Sequence, residues 1–452
     1  MKHLLSLLIL IACASHTLAA ERPNIIFIFA DDWGWGDLGC HGHPYVKTPN
    51  IDRLAKEGTD FHRFSVASGV CSPSRTAVMT GHFPARYGID GHFAQVEVNQ
   101  KRNMPDWLNP EAPLLTRFLQ QAGYATAHYG KWHLSNDMIP DSPLLSAYGI
   151  DDYGAFNCAG PQMFVHDDVK SAISFIDRCH SIGKPFFINL WIHEPHTPFH
   201  VDPEYLKKFP ELDKPDAIYA ATLLHADERI GQLLDTLDQY GLTEKTLVIF
   251  SSDNGPARSE KPIPLELTYD SATGLGYGLG AAKGITGGRR EHKGSLMEGG
   301  IGVPFIARWP GHIPAGRIDN STILSAVDLL PTLCEIAGAQ IPEDYHPDGT
   351  SQTAALLGQE STLRTKPLFW RMPSYPRTYA ALNDRWKMIS NKDLTSIQLF
   401  DIVSDPLESN DLAGEKPDVV QDLTRLLNKW RDTLPKSPAG PVFSSARNPA
   451  NN

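Results

Sequence analysis

The chain reads as an α/β protein: a large mixed, mostly parallel central sheet with helices on both faces, plus a small C-terminal antiparallel-sheet subdomain with one helix. Three observations predict this. Continuous apolar runs at Pro23–Ala30, Pro185–Ile192 and Lys245–Phe250 are rich in β-branched and aromatic residues, as strands buried on both faces must be. Between them lie stretches with apolar residues at helical spacing, the rhythm of crossover-connected parallel strands. From about residue 361 the pattern changes to short strands at hairpin spacing.

At 452 residues, 41% hydrophobic and 9% aromatic, the chain has ample material for a core. Its net charge of −11 argues against a nucleic-acid partner, which needs a basic face. An anionic substrate then requires a local concentration of positive charge.

Met1–His3, the apolar Leu4–Ala12 and the small pair Ala19-Ala20 have the layout of a signal peptide over residues 1–20. The expected location is therefore outside the cytoplasm, periplasmic or secreted. Leu10–Cys13 resembles a lipoprotein box, so a lipid anchor on Cys13 is the alternative. The main α/β domain is expected over residues 21–360, the antiparallel subdomain over 361–434, and a disordered tail rich in Pro, Ser, Ala and Asn over 435–452.

Pro23–Ala30 stops abruptly at Asp31-Asp32, followed by the glycine-punctuated Trp33–Gly36. Leu115, Phe118, Leu119 and Ala122 mark a helix ending at Gly123. Tyr124–Tyr129 is strand-like and leads into Gly130–His133. Val169, Ile173 and Ile176 mark a helix before Pro185–Ile192, which exits into His193–Pro198. Leu223, Ile230, Leu233, Leu234 and Leu237 mark a long helix before Lys245–Phe250, which ends in Asp253-Asn254. The glycine-rich, charged passage 274–300, containing Arg289 and Arg290, reads as a mobile loop over a site. Gly302–Trp309 is a further strand and Val327–Ala337 a helix. Leu368–Arg371, Tyr379–Leu382, Trp386–Ile389 and Ile397–Phe400 are the short strands of the subdomain, closed by a helix over Val419–Trp430.

Taken one at a time, these polar strand exits are turn chemistry and helix caps. Together they deliver functional groups to the carboxyl ends of several strands, where ligands bind in open α/β sheets. If the strands ending at Asp31 and Asp253 are neighbours, Asp31, Asp32, Asp253 and Asn254 meet at one point. Carboxylates and an amide oxygen suit a hard divalent cation, Ca2+ ahead of Mg2+.

Cys71–Arg75 runs into Thr76–Gly81, which reads as the first turns of a helix, so Cys71 stands at a helix mouth. One reading is a buried core thiol. The other is a nucleophile at a helix mouth, where free N–H groups and Arg75 favour an oxyanion. Five cysteines follow the leader, at 40, 71, 158, 179 and 334, and an odd number leaves at least one unpaired.

These blocks resemble the type I, formylglycine-dependent sulfatases of the alkaline-phosphatase-like superfamily. The carriers are Pro23–Gly39, Thr48–Asp52, Cys71–Gly81, Gly130–His133, Pro195-His196, Ser252–Gly255 and Lys293–Gly300. The wording Asp31–Gly39 is similar to the branch of arylsulfatase A and N-acetylgalactosamine-6-sulfatase. The resemblance implies that a separate formylglycine-generating enzyme oxidises Cys71 to Cα-formylglycine. It implies Ca2+ on Asp31, Asp32, Asp253, Asn254 and the residue-71 oxygen. Arg75, Lys131 and Lys293 would hold sulfate oxygens, His133 would take a proton from the formylglycine diol, and His196 would protonate the leaving oxygen. His193, Arg289 and Arg290 are candidate substrate contacts; Glu194 receives no role. The implied substrate is a sulfated carbohydrate. A phosphate or phosphonate monoesterase on the same fold, or a silent glycan-binding protein retaining the Cys71 thiol, are the alternatives.

Overall fold

The computed structural model describes residues 22–259, 265, 267–270, 274–359 and 364–447. The expected signal peptide and Cys13 lie outside the described residues.

The central sheet has eight strands. In chain order they are β1 (Asn24–Ala30), β2 (Thr59–Phe61), β3 (Ala125–Lys131), β4 (Asp152–Phe156), β5 (Phe186–Trp191), β6 (Thr246–Ser252), β7 (Phe305–Arg308) and β8 (Arg317–Asp319). Their spatial order is β8-β2-β7-β6-β1-β5-β3-β4. The five strands from β6 to β4 run parallel, whereas β7 is antiparallel to both β6 and β2. Every residue of β1, β3, β5 and β6 is buried, which accounts for the apolar runs of β1, β5 and β6. The three-residue β2 and β8 carry too little pattern to be read from sequence.

Helices cover both faces. On one lie α1 (Pro49–Glu57), α4 (Asp168–Ser181) and the long α5 (Lys214–Gln239); on the other lie α2 (Cys71–Thr80), α3 (Leu115–Gln121) and α6 (Leu329–Ala337). Each face packs its own apolar cluster against the alternate side chains of β1, Ile25, Phe27 and Phe29 to one side and Ile26 and Ile28 to the other.

The second sheet pairs β9 (Leu368–Arg371), β10 (Tyr379–Asn383), β11 (Trp386–Ser390) and β12 (Ile397–Asp401) as an antiparallel meander, with α7 (Pro417–Asp432) packed against β10. Its core joins that of the α2 face, and buried Lys387 binds Glu298 at 2.7 Å and Glu408 at 2.8 Å across the junction.

Two expectations fail. Residues 435–447 pack against the protein, not as a disordered tail: Pro441 O accepts from Trp107 Nε1 at 2.7 Å, and Asp106 accepts from Ser444 N and Arg447 Nε. Residues 448–452 lie outside the described residues. The passage 283–300 is a packed wall, not a mobile loop. Its backbone is bonded to the loops after β1 and β6 and before α2 through Gly36 N to Ile285 O, Gly294 N to Gly69 O, Lys293 N to Pro256 O and Gly255 N to Gly300 O. A Cβ on Gly299 would stand 2.0 Å from Glu291 O, and one on Gly255 1.8 Å from Gly299 O. The glycines permit close approach of backbones, and that requirement looks in sequence like flexibility.

Candidate active site

Register brings the two acid pairs together. Ala30 of β1 lies beside Ser252 of β6 in parallel pairing, so Asp31-Asp32 and Asp253-Asn254 leave the sheet side by side. Asp32 N donates to Asp253 Oδ1 at 3.2 Å, and Asn254 Nδ2 donates to Asp32 Oδ1 at 2.7 Å. All four residues are buried. Asp32 holds the left-handed region at φ 68° and His133 at φ 51°, conformations that cost a non-glycine residue about 1–3 kcal/mol and collect at functional sites.

The third contributor is α2. Val70 is extended and supplies no side-chain cap, so Cys71 enters the first turn with the helix N–H groups open toward the cluster. The whole helix is buried, held by Ser74 Oγ to Ser68 O at 3.0 Å and Phe93 N to Ser72 Oγ at 3.1 Å. Potential ligand atoms of Asp31, Cys71 and Asp253 all lie within 4.8 Å of one another.

Three cations ring the three acids. Arg75 donates through Nε and Nη2 to Asp253 Oδ2 at 3.0 and 2.7 Å, and through Nη1 to Lys131 O at 3.0 Å. Its guanidinium sits 5.0 Å from the Trp191 ring and 5.6 Å from that of Phe29, which fixes its plane. Lys131, at the end of β3, pairs with Asp31. Lys293 Nζ reaches Asp32 Oδ1 at 2.6 Å and Oδ2 at 2.7 Å.

These acids fit a divalent cation. Asp31 Oδ1 and Asn254 Oδ1 are buried and accept no hydrogen bond from the described residues. Burial opposes the charge of Asp31, but His196, Lys131, Arg75 and Lys293 hold it well below the usual carboxylate range. Burial and then Asp31 push Asp253 up to about 7, against the pull of Arg75. Carboxylates this close favour a cation between them. With three acids and three bases the cluster is neutral, so a bound Ca2+ would leave two positive charges facing an anionic ester.

The histidines complete the site. His133 Nε2 donates to Phe93 O at 3.0 Å, which leaves Nδ1 as the lone pair; burial and Lys131 keep the ring neutral, well below the ordinary range. His196 Nε2 is 3.9 Å from Asp32 Oδ2, and burial lowers the ring to about 4. His193 is fully buried beside it, ring centroids 5.6 Å apart, its Nε2 on Pro198 O at 3.1 Å. Ligand atoms of His193, His196 and Asp31 fall within 4.8 Å, so imidazoles do accompany the acids, where the sequence suggested an oxygen-only set.

Arg289 and Arg290, the candidate substrate contacts, are both engaged by the protein itself. Arg289 stacks 4.6 Å over Trp35, donates to His62 O at 2.8 Å and faces Glu298 at 3.7 Å; Arg290 donates to Glu408 O at 2.9 Å. Both fasten the wall 283–300 to its surroundings. Glu194, without a role in sequence, anchors the His193–Pro198 turn. Arg229 of α5 bridges its carboxylate to Asp168, and its carbonyl accepts from Asp31 N at 3.3 Å. His92, also missed, lies 6.3 Å from His133 ring to ring. Neither Arg229 nor His92 stands at a strand exit, the signal that revealed Asp31, Lys131, His193, His196 and Asp253.

The family model for Sulfatase matches residues 23–339, which includes every residue of this cluster. The chain belongs to the sulfatase family. A second model, N-sulphoglucosamine sulphohydrolase, C-terminal, matches residues 292–433 of this sulfatase. It is 32% identical to N-acetylgalactosamine-6-sulfatase of Sus scrofa, over 78% of this chain and 69% of that protein. It is 30% identical to arylsulfatase A of Homo sapiens, over 92% of this chain and 89% of that one. The crystal structure of Ps i-CgsB in complex with k-i-k-neocarrahexaose superposes with a TM-score of 0.76 at 28% identity, covering 95% and 96% of the two chains. The five described cysteines are free.

Proposed function

We propose that this sulfatase removes sulfate from a sulfated glycan or its oligosaccharides through a formylglycine at position 71, with Ca2+ held by Asp31, Asp32, Asp253, Asn254 and the residue-71 oxygen. One observation carries the reading: the Cys71 side chain shares a buried 4.8 Å cluster with Asp31 and Asp253, and Arg75, Lys131 and Lys293 ring it. As a thiol, Cys71 is a poor nucleophile, because burial pushes its pKa up more than Lys131 draws it down.

Conversion by a maturing enzyme replaces the CH2–SH group with an aldehyde, and water adds to give a geminal diol. One diol oxygen, its proton lost to solvent, attacks sulfur while the S–O bond to the leaving alcohol breaks, and His196 supplies the proton that the alcohol takes. The neutral His133 Nδ1 then accepts the proton of the second hydroxyl, the aldehyde re-forms, and sulfate departs. Arg75, Lys131 and Lys293 face the charge that gathers on the sulfate oxygens. The cation would supply Lewis-acid polarisation and a template for the ester. His196 must gain its proton in the complex, where an anionic ester offsets the burial that holds it at about 4.

The neocarrahexaose bound by the structural neighbour and the amino sugar named in N-acetylgalactosamine-6-sulfatase favour a carbohydrate leaving group. The leader in residues 1–20 supports export to the periplasm or medium, with Cys13 as a candidate lipid anchor. No helix among the described residues is long and apolar enough to cross a membrane.

A phosphate or phosphonate monoesterase is the second reading, favoured by the placement of His193 and His196 beside Asp31. Parallel release assays on matched sulfate and phosphate monoesters separate the two: faster sulfate release supports the proposal, faster phosphate release the second reading. Cys71→Ser should keep the fold and lose nearly all turnover.

A further inference from the structure

At the far end of the Asp31–Gly39 loop, three other potential ligands converge. Cys40, His41 and Asp60 place a sulfur, a ring nitrogen and a carboxylate oxygen within 4.8 Å of one another. We propose that Cys40, His41 and Asp60, with His62 as the fourth donor, form a second metal site that takes a borderline-soft divalent cation such as Zn2+.

The donor set is the first reason. A thiolate, imidazoles and one carboxylate select zinc-like ions over Ca2+ or Mg2+. The His41 tautomer is the second. Its Nδ1 lies 2.6 Å from Trp35 O, to which it donates, so Nε2 faces Asp60 Oδ2 at 2.7 Å. A backbone carbonyl holding the remote ring N–H is how ligating histidines are oriented. The ring is further clamped by stacking on Trp35 at 4.0 Å. His62 Nε2 approaches the same carboxylate oxygen at 3.3 Å, so two imidazole nitrogens converge on one atom.

Asp60 supplies the third reason. It is buried on β2, and its Oδ1 accepts no hydrogen bond from the described residues. Ion entry sends the proton between His41 Nε2 and Asp60 Oδ2 to solvent, and the three donors, already within 4.8 Å of one another, adjust to metal–ligand lengths of ~2.0–2.3 Å. Cys40 is exposed and provides the way in. Without an ion, burial with Asp52 and Asp60 nearby keeps its thiol protonated; on binding, that proton leaves to solvent and the sulfur lone pair goes to the metal. The ion would tie the end of the Asp31–Gly39 loop to β2, far along the chain from the catalytic acids' partners on β6.

Co2+ serves as the probe, added to metal-stripped Cys71→Ser protein with Ca2+ in excess, so that the catalytic thiol contributes no signal. The expected result is a near-ultraviolet thiolate-to-cobalt charge-transfer band, displaced by Zn2+, that is absent in the added Cys40→Ser variant. His41→Gln should weaken Co2+ binding by roughly 10- to 100-fold. Zn2+ should raise the melting temperature of the parent and leave the Cys40→Ser protein unmoved. Matching melting temperatures of the metal-free proteins establish that the variants fold; if Cys40→Ser fails that control, His41→Gln decides. No band in the parent, a band that survives Cys40→Ser, or Co2+ affinity unchanged in His41→Gln would overturn the proposal.

Discussion

Asp32 and Asp253 are 221 residues apart in sequence, yet Asp32 N donates to Asp253 Oδ1 at 3.2 Å. The bond follows from parallel pairing of β1 with β6, in which Ala30 and Ser252 are register partners. A one-residue slip would turn each acid to the other face of the sheet. The meeting of these acids is therefore a property of strand register before it is one of side chains.

Cation removal should be felt in stability as well as in rate. Stripping the protein with a chelator should lower its melting temperature, because Asp31, Asp32 and Asp253 then repel one another within a buried cluster. Ca2+ should restore it at lower concentration than Mg2+, which demands near-ideal octahedral geometry and dehydrates reluctantly. Differential scanning calorimetry across a metal series checks this; equal response to both ions would count against a Ca2+ site.

Arg229 is predicted to hold the His193–Pro198 turn without touching substrate. It pairs with both Glu194 and Asp168, each buried. Arg229→Met leaves buried Glu194 with only His166 and buried Asp168 with only the Val169 N–H, and should cost about 3 kcal/mol. Chemical denaturation reads the loss, and kcat should fall more than KM rises if the turn's placement of His196 is what suffers.

Acid lability should have a histidine component. His128 is fully buried between the Trp132 and Trp191 rings, and burial, then Arg75, lowers it to about 3. The unfolded chain binds this proton near pH 6.5 and the folded chain does not, so stability falls as pH drops below about 6.5 and continues to fall toward 3. Each pH unit in that window costs about 1.4 kcal/mol per such group. Buried His43 and half-buried His225, both lowered to about 4 by desolvation, act with the same sign. His128→Phe should flatten the decline in melting temperature between pH 6.5 and 5; an unchanged slope would remove His128 from the account.

The sequence was most legible where one physical demand has one solution. Strands buried on both faces are mainly apolar, and their polar endings at Asp31, Lys131, His193 and Asp253 exposed the site. It was least legible where one residue type serves two demands. Glycine over 283–300 meets backbone with backbone, yet the same composition suits a mobile loop. Arg289 and Arg290 look like anion receptors until the structure engages them with Trp35 and Glu408. Arg229 lies in the polar stretch of a long amphipathic helix, where nothing local marks it as the partner of Glu194.

The central claim concerns what occupies position 71 in active protein. The tryptic peptide spanning residues 64–75, from protein matured in a competent host and active in sulfate release, carries the answer in its mass. The account predicts loss of one sulfur and two hydrogens and gain of one oxygen relative to the encoded peptide, with an aldehyde that carbonyl reagents trap. Fully active protein whose Cys71 peptide retains its thiol would contradict it.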